Sequence, residues 1–340
     1  MRVARLYTID DIRIEEEAIP DPGPGEVLVR TRACGICTGD LMGWYMQRKA
    51  PLVFGHEPVG EVAKVGAGVR NLKEGARIFA HHHAPCGRCP RCKRGATVHC
   101  ETWRKGALRP GGMAEYFVVS AASVAGDTLE LPRALTYKAA SLIEPAACVV
   151  KSLRRGGVAA GQNVVVIGVG IMGQLHVALA SAMGARVIAL DRVAFRLARA
   201  RELGADATVD VTTQDAAEAV RELTGGEMAE VVFVGPGSIE AMETGLGLTA
   251  ADGRAVLFTC SQPNDVLAVK PFDLYFREVS IIPSYSCGPR DTREAMELLE
   301  AGKLPVEKLV THQFGLEKIA EAMRAAADTS AALKTIIVFD

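Results

Sequence analysis

The chain has 340 residues, of which 49% are hydrophobic and 23% are charged. This length and composition predict two globular domains with ample hydrophobic cores and exclude a disordered or fibrous protein. The formal net charge of −1 excludes the strong positive field that binding to nucleic acid or anionic lipid requires, so we expect small-molecule partners, with no nucleic acid and no membrane.

Three stretches of the chain carry different patterns. Residues 1–150 hold short alternating runs such as EVLVRTRA and AEYFVV between glycine and proline turns, which predicts a β-rich domain. In residues 151–286, strand-like runs such as NVVVIG and RVIALD alternate with helical segments, which predicts a doubly wound parallel sheet. Residues 287–340 carry amphipathic helices and a final strand, KTIIVFD, too little to fold alone. We expect this tail to complete the first domain.

The cellular setting is predicted from the start of the chain and from the cysteines. The opening MRVARLYTIDDIRIEEE has acidic residues where a secretory signal needs an apolar core. The longest apolar run, from Val164 to Met172, is far shorter than the ~20 residues that span a bilayer. Nine cysteines, several of them two residues apart, indicate metal or redox chemistry in a reducing compartment. We therefore expect a cytoplasmic protein.

A dinucleotide fingerprint opens the second domain. VVVIGVGIMG places Gly168, Gly170 and Gly173 as G-x-G-x-x-G directly after a strand. The first glycine allows a tight turn, the second lets the backbone approach a pyrophosphate, and the third lets helix and strand pack closely. Ile171 and Met172 lie at the start of the helix, where unpaired amides would bind the phosphates.

The next strand predicts which dinucleotide binds. Asp191 ends the run VIALD, where a carboxylate can accept hydrogen bonds from both ribose hydroxyls, and this favours NAD over NADP. Arg192 could instead pair with a 2′-phosphate, although Asp191 would repel that group and Arg192 could lie against the adenine. The alternative is a glycine turn required only for packing, with Asp191 as a helix cap.

A cysteine array predicts a structural metal site. The segment CGRCPRCKRGATVHC has the spacing C-x2-C-x2-C-x7-C and contains Cys86, Cys89, Cys92 and Cys100. Four thiolates can close a tetrahedral shell around zinc and leave no position for a substrate. An iron–sulfur cluster is the competing use of this spacing. The many basic residues around the array are interpreted as a solvated face that offsets the thiolate charge.

Several motifs in order carry a family resemblance. They are Cys37, GHEPVGEVAKVGAGV from Gly55, the cysteine array, GGMAEY at 111–116 and the nucleotide fingerprint. Together they resemble the zinc-dependent medium-chain dehydrogenase/reductase family over nearly the whole chain. IEPAAC and LVTHQFGLEKIAEAM are similar to its sorbitol and threonine dehydrogenase branch. The resemblance implies an α/β fold with a GroES-like, β-rich catalytic domain (1–150, completed by 287–340) and a Rossmann domain (151–286).

The resemblance also implies a catalytic zinc held by Cys37, His56 and Glu144, with Glu57 as an alternative or transient ligand. A thiolate, an imidazole and a carboxylate leave zinc one open position, which the closed cysteine array cannot offer. With the structural site, the expected content is two Zn²⁺ ions per chain.

Other readings of the neighbouring residues stay open at this point. Cys34 is interpreted as a small buried hydrophobe, and Cys148, one helical turn after Glu144, could compete for the metal. Glu57 could orient the site without touching zinc. The run His81–His83 is interpreted as a cleft wall or a support for the cysteine array.

These expectations combine into one function. We expect reversible oxidation of a polyol, sugar or amino alcohol to the ketone, with NAD accepting the hydride and zinc providing Lewis-acid charge. The chain would act as a homodimer or homotetramer on a small-molecule alcohol or ketone. The alternative is a zinc-containing nucleic-acid-binding or regulatory protein that has lost catalysis.

One departure from the family concerns the proton released by the alcohol. In the family a Ser or Thr commonly stands two residues after the ligand cysteine, and in many members a His stands five residues after it. Here those positions hold Gly39 and Met42, which cannot carry a proton. Three interpretations stay open: catalysis has been lost, the substrate supplies its own polar group, or a neighbouring residue substitutes. We expect Thr38 to substitute, with water or Glu57 as the next group to accept the proton.

Overall fold

The computed structural model describes all 340 residues and divides into two units. The first contains Met1–Ala147, Cys287–Gly302 and Val306–Asp340, and the second contains Cys148–Ser286 with Lys303–Pro305. The first unit is therefore assembled from both ends of the chain.

The amino-terminal part of the first unit is built mainly from short strands. In chain order its elements are β1 (Arg2–Thr8), β2 (Asp11–Glu16), β3 (Val27–Gly35), a 3-10 helix (Thr38–Leu41), α1 (Gly43–Met46), β4 (Leu52–Val53), β5 (Glu57–Val65), β6 (Arg77–Ala80), α2 (Pro90–Lys93), a 3-10 helix (Thr97–His99), α3 (Glu101–Lys105), β7 (Tyr116–Val119), α4 (Ala121–Gly126), β8 (Thr128–Glu130), α5 (Tyr137–Ala140) and the start of α6 (Ile143–Gly156), a helix whose residues from Cys148 belong to the second unit.

The second unit alternates strands and helices. Its elements are β9 (Asn163–Ile167), α7 (Ile171–Ala182), β10 (Arg186–Asp191), α8 (Ala194–Glu202), β11 (Ala207–Asp210), α9 (Ala216–Leu223), β12 (Ala229–Val234), α10 (Ile239–Leu248), β13 (Thr249–Leu257), α11 (Pro271–Arg277) and β14 (Ser280–Pro283). All six strands are parallel, in the order β11-β10-β9-β12-β13-β14. This order reverses beside β9, which is where dinucleotides bind in such sheets. The predicted doubly wound sheet is confirmed.

The carboxyl-terminal segment returns to the first unit. It contains α12 (Pro289–Glu300), α13 (Val306–Leu309), β15 (Val310–Gly315), a 3-10 helix (Leu316–Lys318), α14 (Ile319–Ala327) and β16 (Lys334–Val338). β16 pairs antiparallel with β3 and joins a seven-stranded sheet in which β15-β16-β3-β5-β6-β8 are neighbours and β7 also pairs with β3. β2, β1 and β4 form a separate small sheet.

The hydrophobic cores explain why these elements form. β9 reads NVVVI and is buried along almost its whole length, as expected for a central parallel strand covered on both faces. In the first unit, Ile319, Ala322 and Met323 of α14 join a buried cluster with Cys34 and Ile337 of the paired strands. The tail therefore contributes core side chains as well as a strand. No helix of the molecule combines the length and apolarity needed to cross a bilayer.

Candidate metal centres and dinucleotide site

The loop that follows β3 positions Cys37. Its backbone amide donates to Asp40 Oδ2 over 3.0 Å, and the Gly39 amide donates to the Cys37 sulfur over 3.4 Å. These two bonds form a capping box around the 3-10 helix Thr38–Leu41. The cysteine is therefore held at a fixed helix start, and Asp40 lies buried beneath it.

His56 and Glu57 stand at the start of β5 and face that loop. The ligand atoms of Cys37, His56 and Glu57 all lie within 4.8 Å of one another. His56 Nδ1 lies 3.7 Å from Asp40 Oδ1, so a carboxylate stands beside the ring, as is usual for metal-binding histidines. Burial opposes the charged ring, but the Cys37 thiolate and the Asp40 carboxylate raise the pKa of His56 well above its ordinary value.

Glu144 lies in a different group of potential ligands. It belongs to the first turn of α6, is buried, and its oxygen lies within 4.8 Å of nitrogens of His81 and His82. Burial raises its pKa above the ordinary value, while the nearby His56 charge opposes that shift. Cys148, one turn further along α6, belongs to no group that contains Cys37 or His56. The structure thus places Glu57, rather than Glu144, within the thiolate–imidazole cluster.

The donor set of this cluster fits zinc. It offers one sulfur, one imidazole nitrogen and one carboxylate, which are the ligand types of a catalytic zinc site with an open position. Glu57 supplies a second observation, because its buried Oε1 has no hydrogen-bond partner, whereas Oε2 is in an ion pair with Lys334. A buried carboxylate oxygen without a hydrogen-bond donor is unusual in proteins, and it is the kind of atom that a metal ion can satisfy.

The four cysteines of the array form a second, separate cluster. Their sulfur atoms all lie within 4.8 Å of one another, and none is in a disulfide. The Cys89 and Cys92 sulfurs are 3.5 Å apart, close to the ~3.8 Å expected between tetrahedral thiolates on one zinc. Burial opposes ionisation, but amides of Cys86 and Trp103 and the neighbouring thiols lower the pKa of Cys100 to about 6.

A row of aromatic rings runs between the two clusters. The centroids of His56 and His82 are 5.0 Å apart, those of His82 and His83 are 4.0 Å apart, and those of His83 and Trp103 are 4.1 Å apart. Trp103 in turn packs with the cysteine array in a small core cluster. Histidine rings therefore connect the two clusters, and the role of the run as a cleft wall or as a support for the array stays a prediction.

His81 belongs to a buried polar network of its own. Its Nδ1 lies 2.8 Å from Asp127 Oδ2, and Thr292 donates to the other carboxylate oxygen over 2.5 Å. Its Nε2 lies 3.6 Å from the Cys287 sulfur. Asp127 thereby fixes the ring beside Glu144, and sequence reasoning missed this network because its members lie far apart in the chain.

The glycine fingerprint occupies the turn between β9 and α7. Gly168 has φ +77°, a left-handed conformation that favours glycine, and a Cβ at Gly173 would overlap the Gly168 carbonyl oxygen. Gly170 is the N-cap of α7, so Ile171 and Met172 form its first turn. Their backbone amides are therefore at the end of the helix that can bind a pyrophosphate.

Asp191 ends β10 and holds this turn. Its carboxylate accepts hydrogen bonds from the amides of Val169 (2.7 Å), Arg192 (2.7 Å) and Val193 (2.9 Å). The Arg192 side chain is exposed. Sequence analysis missed Arg196, whose guanidinium atoms lie 3.7–4.0 Å from where a Cβ of Gly170 would stand. Its position in α8, five residues after Asp191, is the feature of the sequence from which a place near the nucleotide turn could have been predicted.

Comparisons with known proteins agree with this geometry. A family model described as the alcohol dehydrogenase GroES-like domain matches residues 23–131, and one described as zinc-binding dehydrogenase matches residues 170–301. The human sorbitol dehydrogenase is 33% identical over 324 residues, which cover 92% of this chain and 88% of that protein.

Two solved structures share the complete architecture. A zinc-binding dehydrogenase from Sinorhizobium meliloti 1021 bound to NADP has a TM-score of 0.90 at 30% identity, covering 99% of both chains. A protein described as a short chain alcohol dehydrogenase from E. coli CFT073, complexed with cofactor NADH, has a TM-score of 0.89 at 26% identity, covering 100% of this chain and 99% of that one. The resemblance drawn from the motifs is confirmed, and the chain belongs to the zinc-dependent medium-chain alcohol dehydrogenase family, in its sorbitol dehydrogenase branch.

Proposed function

We propose that the protein is an NAD-dependent polyol dehydrogenase that holds two zinc ions, one in each cysteine-containing cluster. The observation that carries the proposal is the cluster of Cys37, His56 and Glu57, because three mixed ligands leave a position open to a substrate oxygen. The four-thiolate cluster offers no such position and is assigned a structural role.

Each part of the chain has a role in the proposed reaction. Cys37 and His56, together with Glu57 or Glu144, would hold the catalytic zinc, whose chemistry is Lewis-acid polarisation of the alcohol or ketone oxygen. The amides at the start of α7 would bind the dinucleotide pyrophosphate. His82, half-buried beside His56, would form one wall of the substrate site.

NAD is the proposed dinucleotide because a carboxylate ends β10. Asp191 would accept the adenosine ribose hydroxyls, and its negative charge opposes a 2′-phosphate. Arg192 and Arg196 are the two nearby cations that could compensate this repulsion, and one similar structure is bound to NADP whereas another holds NADH. Arg196 lies over Gly170, so we assign it to the pyrophosphate or the ribose rather than to a 2′-phosphate.

A polyol is the proposed substrate because relatives from human, chicken and Bacillus subtilis are named sorbitol dehydrogenase. The polar lining near His56 supports this choice, since the buried Nδ1 of His82 has no hydrogen-bond partner and could bind a second hydroxyl of the substrate. A nucleic-acid-binding or regulatory role is not favoured, because both metal clusters and the nucleotide turn are present together.

We further propose that the chain forms homodimers through the edge of its parallel sheet. β14 is the outermost strand, and α11 beside it exposes Phe272 (71%), Tyr275 (76%) and Phe276 (69%). An unpaired edge and contiguous exposed aromatics mark an interaction surface. A twofold axis would pair β14 with its own copy and cover both sets of aromatic rings.

The test combines metal analysis with turnover. The purified chain should contain two zinc ions and reduce NAD with at least one member of a panel of polyols. Cys37→Ser should lose one zinc and all turnover while staying folded, whereas Cys34→Ala, a matched change at a buried cysteine outside both metal clusters, should keep two zinc ions and turnover. Iron in place of zinc, or salt-sensitive nucleic-acid binding without turnover, would overturn the proposal.

A further inference from the structure

A buried lysine stands beside the proposed catalytic metal cluster. Lys334, the first residue of β16, has a side chain that is 1% exposed, and it forms an ion pair with Glu57, which is equally buried. Lysine is almost never fully buried unless it is paired. The pair therefore needs an explanation, because the proposed reaction assigns no role to Lys334.

The sheet brings the two side chains together across a glycine. β3 lies between β5 and β16, and Gly35 of β3 is opposite both Glu57 and Ile336. A Cβ at position 35 would overlap Glu57 Oε2 and lie 2.6 Å from Lys334 Cε. The missing side chain of Gly35 thus creates the space in which the carboxylate and the ammonium meet.

Lys334 also holds the segment that carries the ligand cysteine. Its Nζ donates to the carbonyl of Ile36 over 2.9 Å, and Ile36 immediately precedes Cys37. One ammonium therefore contacts the backbone next to the thiolate ligand and the carboxylate of the neighbouring ligand. It occupies Glu57 Oε2, while Oε1 has no hydrogen-bond partner.

We propose that Lys334 is a positioning residue that competes with the metal for the Glu57 carboxylate. The proposal rests on the proposed function, because it assumes that Cys37, His56 and Glu57 surround zinc. With the ammonium in place, Glu57 would be a weak and exchangeable ligand, so it could leave the metal during the reaction. Two effects act in the same direction, since the cation neutralises the carboxylate and also repels the divalent ion.

The experiment measures zinc release, which requires no substrate. In the zinc-loaded enzyme, Lys334→Met should slow the transfer of the catalytic zinc to a colorimetric chelator by about tenfold, because the Glu57 carboxylate would no longer be shared with the ammonium. Changes of this size in metal affinity are usual when a partner of a metal ligand is altered. The same variant should lower kcat, because Glu57 would exchange on the metal more slowly. The visible spectrum of the Co²⁺-loaded enzyme should change with the coordination number.

Two further variants separate this role from a structural one. Lys334→Arg keeps the cation and should restore the zinc release rate and the Co²⁺ spectrum. The double variant Lys334→Met/Glu57→Gln leaves no buried charge unpaired, so it should fold, and it should release zinc as fast as Glu57→Gln alone.

Two results would overturn the proposal. One is a Lys334→Met enzyme that releases zinc at the unmodified rate or faster with an unchanged Co²⁺ spectrum. The other is a Lys334→Met protein that fails to bind the catalytic zinc, since Lys334 would then be needed to assemble the site. A protein without turnover on any alcohol would defeat the proposed function but would leave the zinc-release comparison intact.

Discussion

A buried histidine under the nucleotide turn makes the stability of the protein dependent on pH. His176 lies in α7 and is 2% exposed, packed against Phe233 and Phe258 with ring centroids 4.5 and 4.8 Å away. Its Nδ1 lies 2.8 Å from the Met172 carbonyl oxygen, and its Nε2 lies 2.6 Å from the Ser152 hydroxyl oxygen. A neutral ring satisfies both contacts. Burial lowers the pKa of His176 from 6.5 to about 4.

The sign and size of the effect follow from that pKa. Below pH 6.5 the unfolded chain binds a proton at this histidine and the folded chain does not, until the pH falls to about 4. Because the pKa of His176 is lower in the folded state, the folded protein keeps its full stability above pH 6.5 and loses stability as the pH falls below that value. At about 1.4 kcal/mol per pKa unit, the full loss is about 3 kcal/mol, of which about 2 kcal/mol occurs by pH 5.

The assay compares the unmodified protein with His176→Gln, whose amide does not titrate. The free energy of unfolding of each is measured in urea between pH 8 and pH 5 with zinc present, so that metal release, common to both, cancels. The free energy of unfolding of the unmodified protein, minus that of His176→Gln, should fall by about 2 kcal/mol between pH 8 and pH 5. A constant difference, or a midpoint near 6.5 for hydrogen exchange at the His176 imidazole C2, would refute the reasoning.

Three further predictions concern the cysteine array, the dinucleotide and the sheet edge. Cys89→Ser should lose one zinc and lower the unfolding midpoint strongly, and Trp103 fluorescence should report the loss of packing; full zinc content would contradict this. Asp191→Gly should narrow or reverse the preference for NAD measured as the ratio of kcat/KM values, and equal efficiencies in the unmodified enzyme would show that the arginines outweigh the carboxylate. Phe272→Asp should convert dimers into monomers by light scattering, while the control Val211→Asp should not; a monomeric unmodified chain would exclude this interface.

The dinucleotide-binding half could be predicted from the sequence because its signals are local. Buried parallel strands appear as continuous apolar runs, and the alternation with helices sets the sheet order within narrow limits. The roles of Gly168 and Gly173 follow from contacts within one turn of chain, so the spacing of the glycines was enough to predict these roles. The same holds for the four cysteines, which lie close together in sequence.

The catalytic cluster could be predicted only in part, because it depends on the pairing of distant strands. Whether Glu57 or Glu144 lies nearer Cys37 is decided by the register of β5 against β3 and by the start of α6, which no local pattern encodes. Lys334 was missed for the same reason. A lysine at the start of a strand suggests an exposed residue until the pairing of β16 with β3 places it over Gly35.

Thr38 is the residue that we expect to carry the proton released by the alcohol. It is the first residue of the 3-10 helix after Cys37 and is exposed, so its hydroxyl can exchange a proton with water. Gly39, which stands where the family commonly has a hydroxyl, donates its amide to the Cys37 sulfur and offers no side chain. Thr38 is thus the hydroxyl nearest in sequence to the ligand cysteine.

If Thr38 carries the proton, Thr38→Val should lower turnover by ~10²-fold, as for a positioned acid–base group, while zinc content and NAD binding stay unchanged. The chain allows a rescue, because a Cβ at Gly39 would lie 3.6 Å from the Cys37 sulfur, an ordinary contact. Adding Gly39→Ser to Thr38→Val should therefore recover much of the lost turnover, since it places a hydroxyl at the family's position. Unchanged turnover in Thr38→Val would show that the proton leaves by another group, with Glu57 as the next candidate.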